Sequence, residues 1–211
     1  MSEIKIAKEL LRIKAVFLRP NDPFTWASGI KSPIYCDNRL ILTDPDARKV
    51  VEESMASTIK EKFPDVEVLM GTSTAGIAHA AIAGWLLNLP MGYVRSGNKD
   101  HGRENKIEGR LEKGNKVVVI EDLISTGGSC IEVVETLREA GADVLGIVSI
   151  FTYGMEKGKQ RLKEAQVTNY SLTNFDTLCR VALEEGYINS NEEDKLKVFM
   201  SNPSDPSWQS I

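Results

Sequence analysis

The sequence predicts an α/β protein with a mostly parallel central sheet that helices cover on both faces. Short apolar runs rich in β-branched residues alternate with segments whose apolar residues recur at helical spacing. Such runs are typical of strands that are buried on both faces, which crossover helices produce in parallel sheets. The 211 residues contain no repeat of fixed period and no low-complexity linker, so the chain suits one domain of this kind.

The N-terminal part combines a helix pattern with a short aromatic segment. Helical spacing of apolar residues predicts a helix over residues 3–18, which Pro20 and Pro23 bring to an end. Residues 24–38 are aromatic and rich in turn residues, which favours a small hairpin or cap.

The rest of the chain alternates between predicted strands and helices. Asp44 followed by Pro45 is a strong helix start, and we expect that helix to reach about Lys62. The predicted strands are 66–70, 91–95, a strand that starts at Val117, 144–152 and 167–172. The predicted later helices are 77–87, 129–140, 156–165, 175–185 and 192–200.

The sequence also supports structural predictions for several individual side chains. We expect Trp85 and the pair Leu86-Leu87 to be core residues and His79 to be packed or capping. Ser190 with Glu193 resembles a capping box. The polar, Pro-containing residues 202–211 predict a loose tail, which includes Trp208.

Composition narrows the class of protein. A hydrophobic content of 42% and a charged content of 27% are those of a soluble globular enzyme. The net charge of −4 disfavours a general nucleic-acid binder. Apolar runs are far shorter than the roughly 20 residues of a membrane span. The N-terminus is unlike a secretory signal, and three widely spaced cysteines indicate reduced thiols, so we expect a cytoplasmic protein.

The most informative stretch runs from Val117 to Ser129, where an apolar strand pattern leads through two acids into a hydroxyl- and Gly-rich turn and a helix. Backbone N–H groups of Ser125 to Ser129 would face an anion, with the helix dipole behind them. Gly127 and Gly128 permit close approach of a ligand. This pattern predicts a phosphate cradle at a helix N-terminus.

Glu121 and Asp122 would repel a phosphate, yet they suit a ligand that is also a sugar. Carboxylates accept hydrogen bonds from vicinal hydroxyls, as in dinucleotide folds where an acid holds a ribose. Adjacent strand residues point to opposite faces, so we expect the two acids to have different roles. The pattern therefore predicts a ribose 5-phosphate site.

A second loop, Gly71 to Gly76, has the glycine spacing of a P-loop. Ile77-Ala78 replaces the Lys-Ser/Thr that such a loop requires, which excludes a P-loop nucleotide triphosphatase. The small, hydroxyl-bearing Thr72, Ser73 and Thr74 still suit contact with a pyrophosphate group.

A third loop, residues 95–109, is long, polar and punctuated by glycines, as is typical of a mobile lid. It follows a predicted core strand whose end faces the predicted site. Arg95, Lys99 and His101 are the cations that could close over a polyanion.

The Val117–Ser129 segment resembles the phosphoribosyl-diphosphate (PRPP) signature of the type I phosphoribosyltransferases over thirteen continuous residues. Residues 95–109 are similar to the lid of the orotate-using members of that family, with Arg, then Lys-x-His-Gly and later Ile-Glu-Gly. Residues 26–38 resemble the Ser-Gly-x-x-Ser-Pro hood of the same members, which covers a flat base. Ala27, Ala75 and Ser96 stand where many relatives carry lysine.

The resemblance implies the type I phosphoribosyltransferase fold with a small N-terminal hood, in a single domain over residues 1–211. It divides that domain into a hood over about 1–40, a PRPP-binding core over about 41–172 and C-terminal helices over about 173–211. The implied reaction transfers the 5-phosphoribosyl group of PRPP to orotate, giving orotidine 5′-monophosphate and pyrophosphate in pyrimidine biosynthesis.

The resemblance also assigns roles to individual residues. Lys99 and Asp122 would be catalytic, Ser125 and Tyr35 would contact orotate, and Thr72 to Thr74 would contact pyrophosphate. The residues expected to bind PRPP are Arg95, Lys99, His101, Glu121, Asp122, Leu123, Ile124, Ser125, Thr126, Gly127, Gly128 and Ser129. Mg²⁺ would be held mainly by PRPP, with no direct protein ligand. The family lid works across a dimer interface, so we expect a homodimer in which Lys99 serves the neighbouring site.

Three alternatives remain open at the level of sequence. A purine phosphoribosyltransferase would share the PRPP site, but the hood and lid patterns disfavour it. A non-catalytic PRPP-sensing regulator would use the same fold, and a nucleic-acid-binding version would need a basic face. PRPP synthetase-like catalysis would need an ATP site, which the sequence does not show.

Overall fold

A six-stranded sheet flanked by helices forms the centre of the protein, in a computed structural model that describes residues 3–25, 29, 31–95 and 106–211. The strands are β1 (Val16–Leu18), β2 (Phe24–Thr25), β3 (Lys31–Ser32), β4 (Ile34–Cys36), β5 (Val68–Thr72), β6 (Met91–Val94), β7 (Ile107–Glu108), β8 (Lys116–Ile124), β9 (Asp143–Thr152) and β10 (Asn169–Asn174). The α-helices are α1 (Glu3–Arg12), α2 (Pro45–Lys62), α3 (Ala75–Leu87), α4 (Gly128–Glu139), α5 (Glu156–Glu164), α6 (Phe175–Glu184) and α7 (Ser190–Ser201). Two 3₁₀ helices cover Asn38–Thr43 and Pro206–Ser210.

The central sheet has the strand order β10-β9-β8-β5-β6-β7. All neighbouring strands are parallel except β7, which pairs antiparallel with β6 at the edge. The middle strands β5, β8 and β9 are buried along most of their length. This arrangement confirms the predicted α/β class with a mostly parallel sheet.

Two small antiparallel pairs precede the sheet. Strand β1 pairs with β4, and β2 pairs with β3, so residues 16–36 contain the small hairpin structure that the aromatic segment predicted. The 3₁₀ helix that follows leads to Asp44, whose side chain accepts a hydrogen bond from the Ala47 N–H and begins α2. Helix α2 ends at Lys62, as predicted.

The first helix is shorter than predicted, because α1 ends at Arg12 and not at residue 18. Lys14 adopts a left-handed conformation with φ of 56°. The N–H of Lys14 donates to the Leu11 carbonyl, and that of Ala15 donates to the Leu10 carbonyl. These two bonds form a Schellman ending, for which glycine is the usual residue. With lysine in that place, the sequence carried no stop signal.

The expectation that Trp85 and Leu86 are core residues is wrong. Their exposed fractions are 81% and 41%, so the carboxyl half of α3 presents large apolar side chains to the surface of the chain. Helix α3 is apolar almost all round, and the periodicity of its sequence therefore does not reveal which face is buried.

The prediction of a loose C-terminal tail is also wrong. Trp208 is 1% exposed and packs edge-to-face against Phe199 of α7, with ring centroids 5.6 Å apart. The cap of α7 lies one residue earlier than predicted, because Asn189 and Glu192 form the capping box in place of Ser190 and Glu193. A large buried aromatic side chain anchors this segment to the core.

His79 is packed, as predicted. It is fully buried on α3, and its Nδ1 atom lies 2.5 Å from a carboxylate oxygen of Glu52, which is buried on α2. The pair ties these two helices together. No helix among the described residues is long and apolar enough to cross a membrane.

We predict that Trp208→Ala lowers the free energy of unfolding by about 3–5 kcal/mol, the usual loss when a buried tryptophan is truncated. Urea denaturation followed by circular dichroism measures this change. Trp85→Ala removes the same side chain from an exposed position, and we expect it to change stability by no more than about 0.5 kcal/mol. An equal loss in both variants would contradict the contrast in burial described above.

Candidate active site

Three of the predicted site residues, Thr72, Glu121 and Asp122, lie where the strand order of the sheet reverses. Strand β6 lies on one side of β5, whereas the next long strand, β8, lies on the other side. In open parallel sheets, ligands bind beyond the carboxyl ends of strands at such a switch point. Thr72 ends β5, and Glu121 and Asp122 lie close to the end of β8.

Glu121 connects the two sides of this crevice. Its Oε1 atom accepts hydrogen bonds from the hydroxyl of Thr72 at 2.7 Å and from the N–H of Asp122 at 3.0 Å. Its Oε2 atom accepts from the hydroxyl of Ser129 at 3.4 Å. The side chain is only 4% exposed, so it is a buried link between β5, β8 and the start of α4.

Asp122 is half-buried, in contrast to the buried Glu121. Its backbone carbonyl accepts a hydrogen bond of 2.7 Å from the amide of Asn38, which is 1% exposed. Asn38 begins the 3₁₀ helix after β4 and so attaches the N-terminal hairpins to the end of β8. No local pattern predicts this contact, because it joins residues 84 positions apart.

The turn after β8 leaves the start of α4 open. Gly127 is the residue before the helix and has a φ of 75°, and no side chain of the described residues caps this end. The Gly127 carbonyl accepts from the N–H of Ile131, which leaves the earlier N–H groups of the helix directed outward. Ser125 and Ser129 are exposed and Thr126 is half-buried. This geometry suits an anion.

Other helices of this chain do have side-chain caps at their N-termini. Side chains of Asp44, Asn174 and Asn189 cap α2, α6 and α7. In the described chain, α3 and α4 lack such a cap, and both begin at the crevice. Helix α5, which packs beside the turn after β8, lacks one too.

Leu123 and Ile124 continue β8 and pair with Phe151 and Thr152 of β9. Ile124 is 2% exposed, and its carbonyl accepts from the N–H of Tyr153. Their side chains therefore pack the strand, and any contact of Ile124 with a ligand would come from its remaining backbone group. The phosphate-cradle residues proper begin at Ser125.

The loop predicted to contact pyrophosphate begins later than expected, because β5 extends to Thr72. The hydroxyl of Thr72 is used by Glu121, whereas Ser73 and Thr74 lie beyond the strand and are partly or fully exposed. Gly76 explains the close approach of α3: a Cβ at this position would lie 2.4 Å from the carbonyl oxygen of Ile120. The loop is therefore held directly against the end of β8.

Arg95 follows β6, and its side chain pairs with Glu108 of β7 at 3.4 Å. Its N–H donates to the carbonyl of Lys106 at 2.9 Å, so the two ends of the predicted lid are joined at its base. Lys99 and His101 lie outside the described residues. Of the three predicted cations in this loop, the structure therefore locates Arg95.

Tyr35 lies on β4 and is 40% exposed. Its ring packs against Phe24, with centroids 5.5 Å apart, and the remaining surface is open. Tyr35 shares its strand with Cys36, whose thiol donates to Asn38 at 3.4 Å. The hairpin that carries Tyr35 is thus connected through Asn38 to the Asp122 end of the crevice.

The environment of Glu121 also changes the pKa of its carboxyl group. Burial, with the neighbouring Asp122 carboxyl as the second cause, raises the pKa of Glu121 to about 8. Glu121 is therefore largely protonated at neutral pH. Since a protonated carboxyl can donate a hydrogen bond, Glu121 can share its proton with Asp122.

The oxygen atoms that could act as metal ligands in the crevice suit Mg²⁺ only in part. Carboxylate oxygens are ligands that Mg²⁺ prefers, and Asp122 offers one at the open end of the crevice. Among residues 3–25, 29, 31–95 and 106–211, no three His, Cys, Asp or Glu side chains come together as a metal site.

The fold and this crevice define a class, the phosphoribosyltransferases. The family model described as "Phosphoribosyl transferase domain" matches residues 40–177. Among solved structures, the chain is similar to orotate phosphoribosyltransferase from Aeropyrum pernix, with a TM-score of 0.75, 28% identity, and coverage of 87% of this chain and 99% of that one. It is also similar to UMP synthase from Leishmania donovani, with a TM-score of 0.79 and 27% identity over 95% of this chain, which spans 42% of that longer chain.

Curated relatives make the assignment more specific. Orotate phosphoribosyltransferase from Bacillus cytotoxicus is 59% identical over 204 residues, which is 97% of each chain. The protein of the same name from Bacillus cereus is 58% identical over the same length. The chain belongs to the orotate phosphoribosyltransferase family, as the hood, lid and PRPP patterns predicted.

We predict that Glu121→Gln stabilises the protein increasingly as the pH rises from about 5 to 8. A carboxyl whose pKa is higher in the folded than in the unfolded state binds more protons when folded, so wild-type stability falls over that range. Gln removes this dependence and can still accept from Thr72. Thermal melts at five pH values between 5 and 9 measure the difference in Tm.

Glu135→Gln is the matched control, since it changes an exposed glutamate on α4. We expect its Tm difference from wild type to remain constant with pH. A pH-independent difference for Glu121→Gln as well would refute the raised pKa of Glu121.

Proposed function

We propose that this chain transfers the 5-phosphoribosyl group of PRPP to orotate, giving orotidine 5′-monophosphate and pyrophosphate in de novo pyrimidine biosynthesis. The observation that carries the proposal is the full-length similarity to proteins of that name, together with the uncapped helices at the crevice between β5 and β8. The bond from C1′ to the pyrophosphate oxygen breaks, and a bond from C1′ to a ring nitrogen of orotate forms.

The turn after β8 would hold the 5′-phosphate. The hydroxyls of Ser125 and Thr126 and the open N–H groups at Gly127 and Gly128 are donors without a competing cap, whereas the Ser129 hydroxyl donates to Glu121. Fixed donors aimed at an anion need no reorganisation when the ligand binds, which favours tight positioning of the ribose.

Asp122, supported by Glu121, would accept hydrogen bonds from the ribose hydroxyls. As pyrophosphate leaves, C1′ gains positive character, and a nearby carboxylate stabilises that charge more than it stabilises the neutral ground state. Glu121 is committed to Thr72 and Ser129, so we assign it mainly to holding Asp122 in place.

The leaving group would be held from the opposite side. Ser73 and Thr74 with the N-terminus of α3 form a second anion site, and Thr72 positions that loop through Glu121. Arg95, Lys99 and His101 would close over the pyrophosphate and exclude water, which would otherwise hydrolyse the reactive sugar. Mg²⁺ would be held mainly by PRPP, with no direct protein ligand, and would supply neutralising charge.

The hood would cover the base. Tyr35 is partly exposed on β4, and Ser125 directly follows β8, and we assign both residues to contact with orotate. We keep the division into a hood over about 1–40, a core over about 41–172 and C-terminal helices over about 173–211. We further propose a cytoplasmic homodimer in which Lys99 serves the neighbouring site.

The test is orotate consumption, followed by ultraviolet absorbance, with PRPP and Mg²⁺ and parallel reactions with uracil, adenine, hypoxanthine and xanthine. We expect turnover with orotate alone. Turnover with a purine would refute the assignment of the hood, and PRPP binding without turnover of any base would indicate a regulator.

We predict that Lys99→Ala lowers kcat on the order of 10²-fold or more, the loss expected when one group that stabilises leaving-group charge is removed. Steady-state kinetics with orotate and PRPP measures it. Lys60→Ala, which removes an exposed lysine from α2, is the control and should turn over as wild type does. Near-wild-type turnover in Lys99→Ala would remove Lys99 from the mechanism.

A lid shared across a dimer predicts complementation. Each single variant, Lys99→Ala or Asp122→Asn, should be nearly inactive, whereas a heterodimer of the two contains one site with neither defect. We expect doubly tagged, purified heterodimers to recover up to about half of wild-type activity per dimer. Heterodimers as inactive as the parents would show that each lid serves its own subunit.

A further inference from the structure

Helix α5 packs directly against the turn after β8. Gly158 lies so close that a Cβ there would be 2.7 Å from the Ser125 carbonyl oxygen. On the next turn of the helix, the Arg161 guanidinium reaches Thr126, with Nη1 at 3.4 Å from the carbonyl oxygen and 3.5 Å from the hydroxyl oxygen. The same nitrogen is 3.5 Å from the position a Cβ of Gly128 would take.

Arg161 has no other strong partner in the described part of the chain. No carboxylate of the described residues lies within ion-pairing distance of it, whereas the neighbouring Lys159 pairs with Glu156 at 2.6 Å. Arg161 is half-buried, and no carboxylate of the described residues offsets its positive charge. That charge lies at the open N-terminus of α4.

The chemistry of the contact is directional. A guanidinium is only a donor, so the Thr126 hydroxyl oxygen accepts from Arg161. The hydroxyl proton is then free to point away from Arg161, and a phosphate oxygen held by the turn can accept it. A cation behind the hydroxyl also strengthens it as a donor.

From this geometry we propose that Arg161 is a positioning residue for the 5′-phosphate: it orients the Thr126 hydroxyl and adds positive charge behind the turn after β8. The inference rests on the proposed function for the identity of the anion as a sugar phosphomonoester. It adds a fixed cation, from outside the sequence motif, to a site whose motif residues include none.

Calorimetric titration with ribose 5-phosphate and, separately, with pyrophosphate tests the inference. We expect Arg161→Met, which keeps an apolar stem and loses the donors, to bind ribose 5-phosphate about tenfold more weakly, the size of one hydrogen bond to a charged group. Binding of pyrophosphate should not change, because that anion would lie at α3. Lys163→Met removes an exposed cation two positions along α5 and should bind both ligands as wild type does.

A double-mutant cycle tests whether Arg161 acts through Thr126. Thr126→Val removes the hydroxyl, and in that background Arg161→Met should cause a much smaller further loss than the tenfold expected alone. Full additivity of the two losses would overturn the proposed route through the hydroxyl.

Several results would overturn the inference. These are unchanged binding of ribose 5-phosphate by Arg161→Met, absence of ribose 5-phosphate binding by the wild type, or an equal loss for both ligands with a lower Tm, which indicates a merely structural role. If Arg161→Met fails to fold, Arg161→Lys carries the test, with a smaller loss of about threefold expected for ribose 5-phosphate alone.

The two proposals fail in different experiments. A wild-type protein that binds ribose 5-phosphate through Arg161 but does not turn over orotate would leave this inference intact and refute the proposed function. If the wild type turns over orotate while Arg161→Met binds ribose 5-phosphate normally, the role of Arg161 is refuted and the proposed function remains intact.

Discussion

The hydrogen bonds of Glu121 are the interaction on which the site depends. One carboxyl group accepts from Thr72 at the end of β5, from the backbone of Asp122 on β8 and from Ser129 in the first turn of α4. These elements carry the parts that would contact pyrophosphate, ribose and 5′-phosphate. Because the link is buried and lies at the switch point of the sheet, the crevice is positioned by the core of the protein and not by its mobile surface.

Helix α5 begins without a side-chain cap beside the turn after β8, and the other helices from α2 to α7 begin differently according to their position. Those that only support the fold, α2, α6 and α7, have their first N–H groups capped by Asp or Asn side chains. Those that face the crevice, α3 and α4, begin without such caps among the described residues. A side-chain cap would compete with an incoming anion for the same N–H groups, so its omission lowers intrinsic helix stability where a ligand can restore it.

Local patterns predicted most of the fold and the central motif of the site, because strand and helix periods and the turn after β8 are encoded in adjacent residues. These patterns failed where contacts between distant parts of the chain determine the structure. Lys14 ends α1 in a position where glycine is usual. Trp85 was expected to be buried and is exposed, whereas Trp208 was expected in a loose tail and is buried, since only tertiary packing distinguishes the two. Asn38 and Arg161 belong to the surroundings of the site through contacts 84 and 35 residues apart, which no motif records.

The apparent conflict in the sequence, two acids beside an anion site, is resolved by burial. Desolvation raises the pKa of Glu121 to about 8, so the Glu121 carboxyl carries little negative charge at neutral pH. Repulsion of an incoming polyanion is reduced accordingly. Asp122, half-buried at the open end, is the group left to meet positive charge on a ribose. One acid thus holds the architecture while the other serves the chemistry, and their difference in burial makes that division possible.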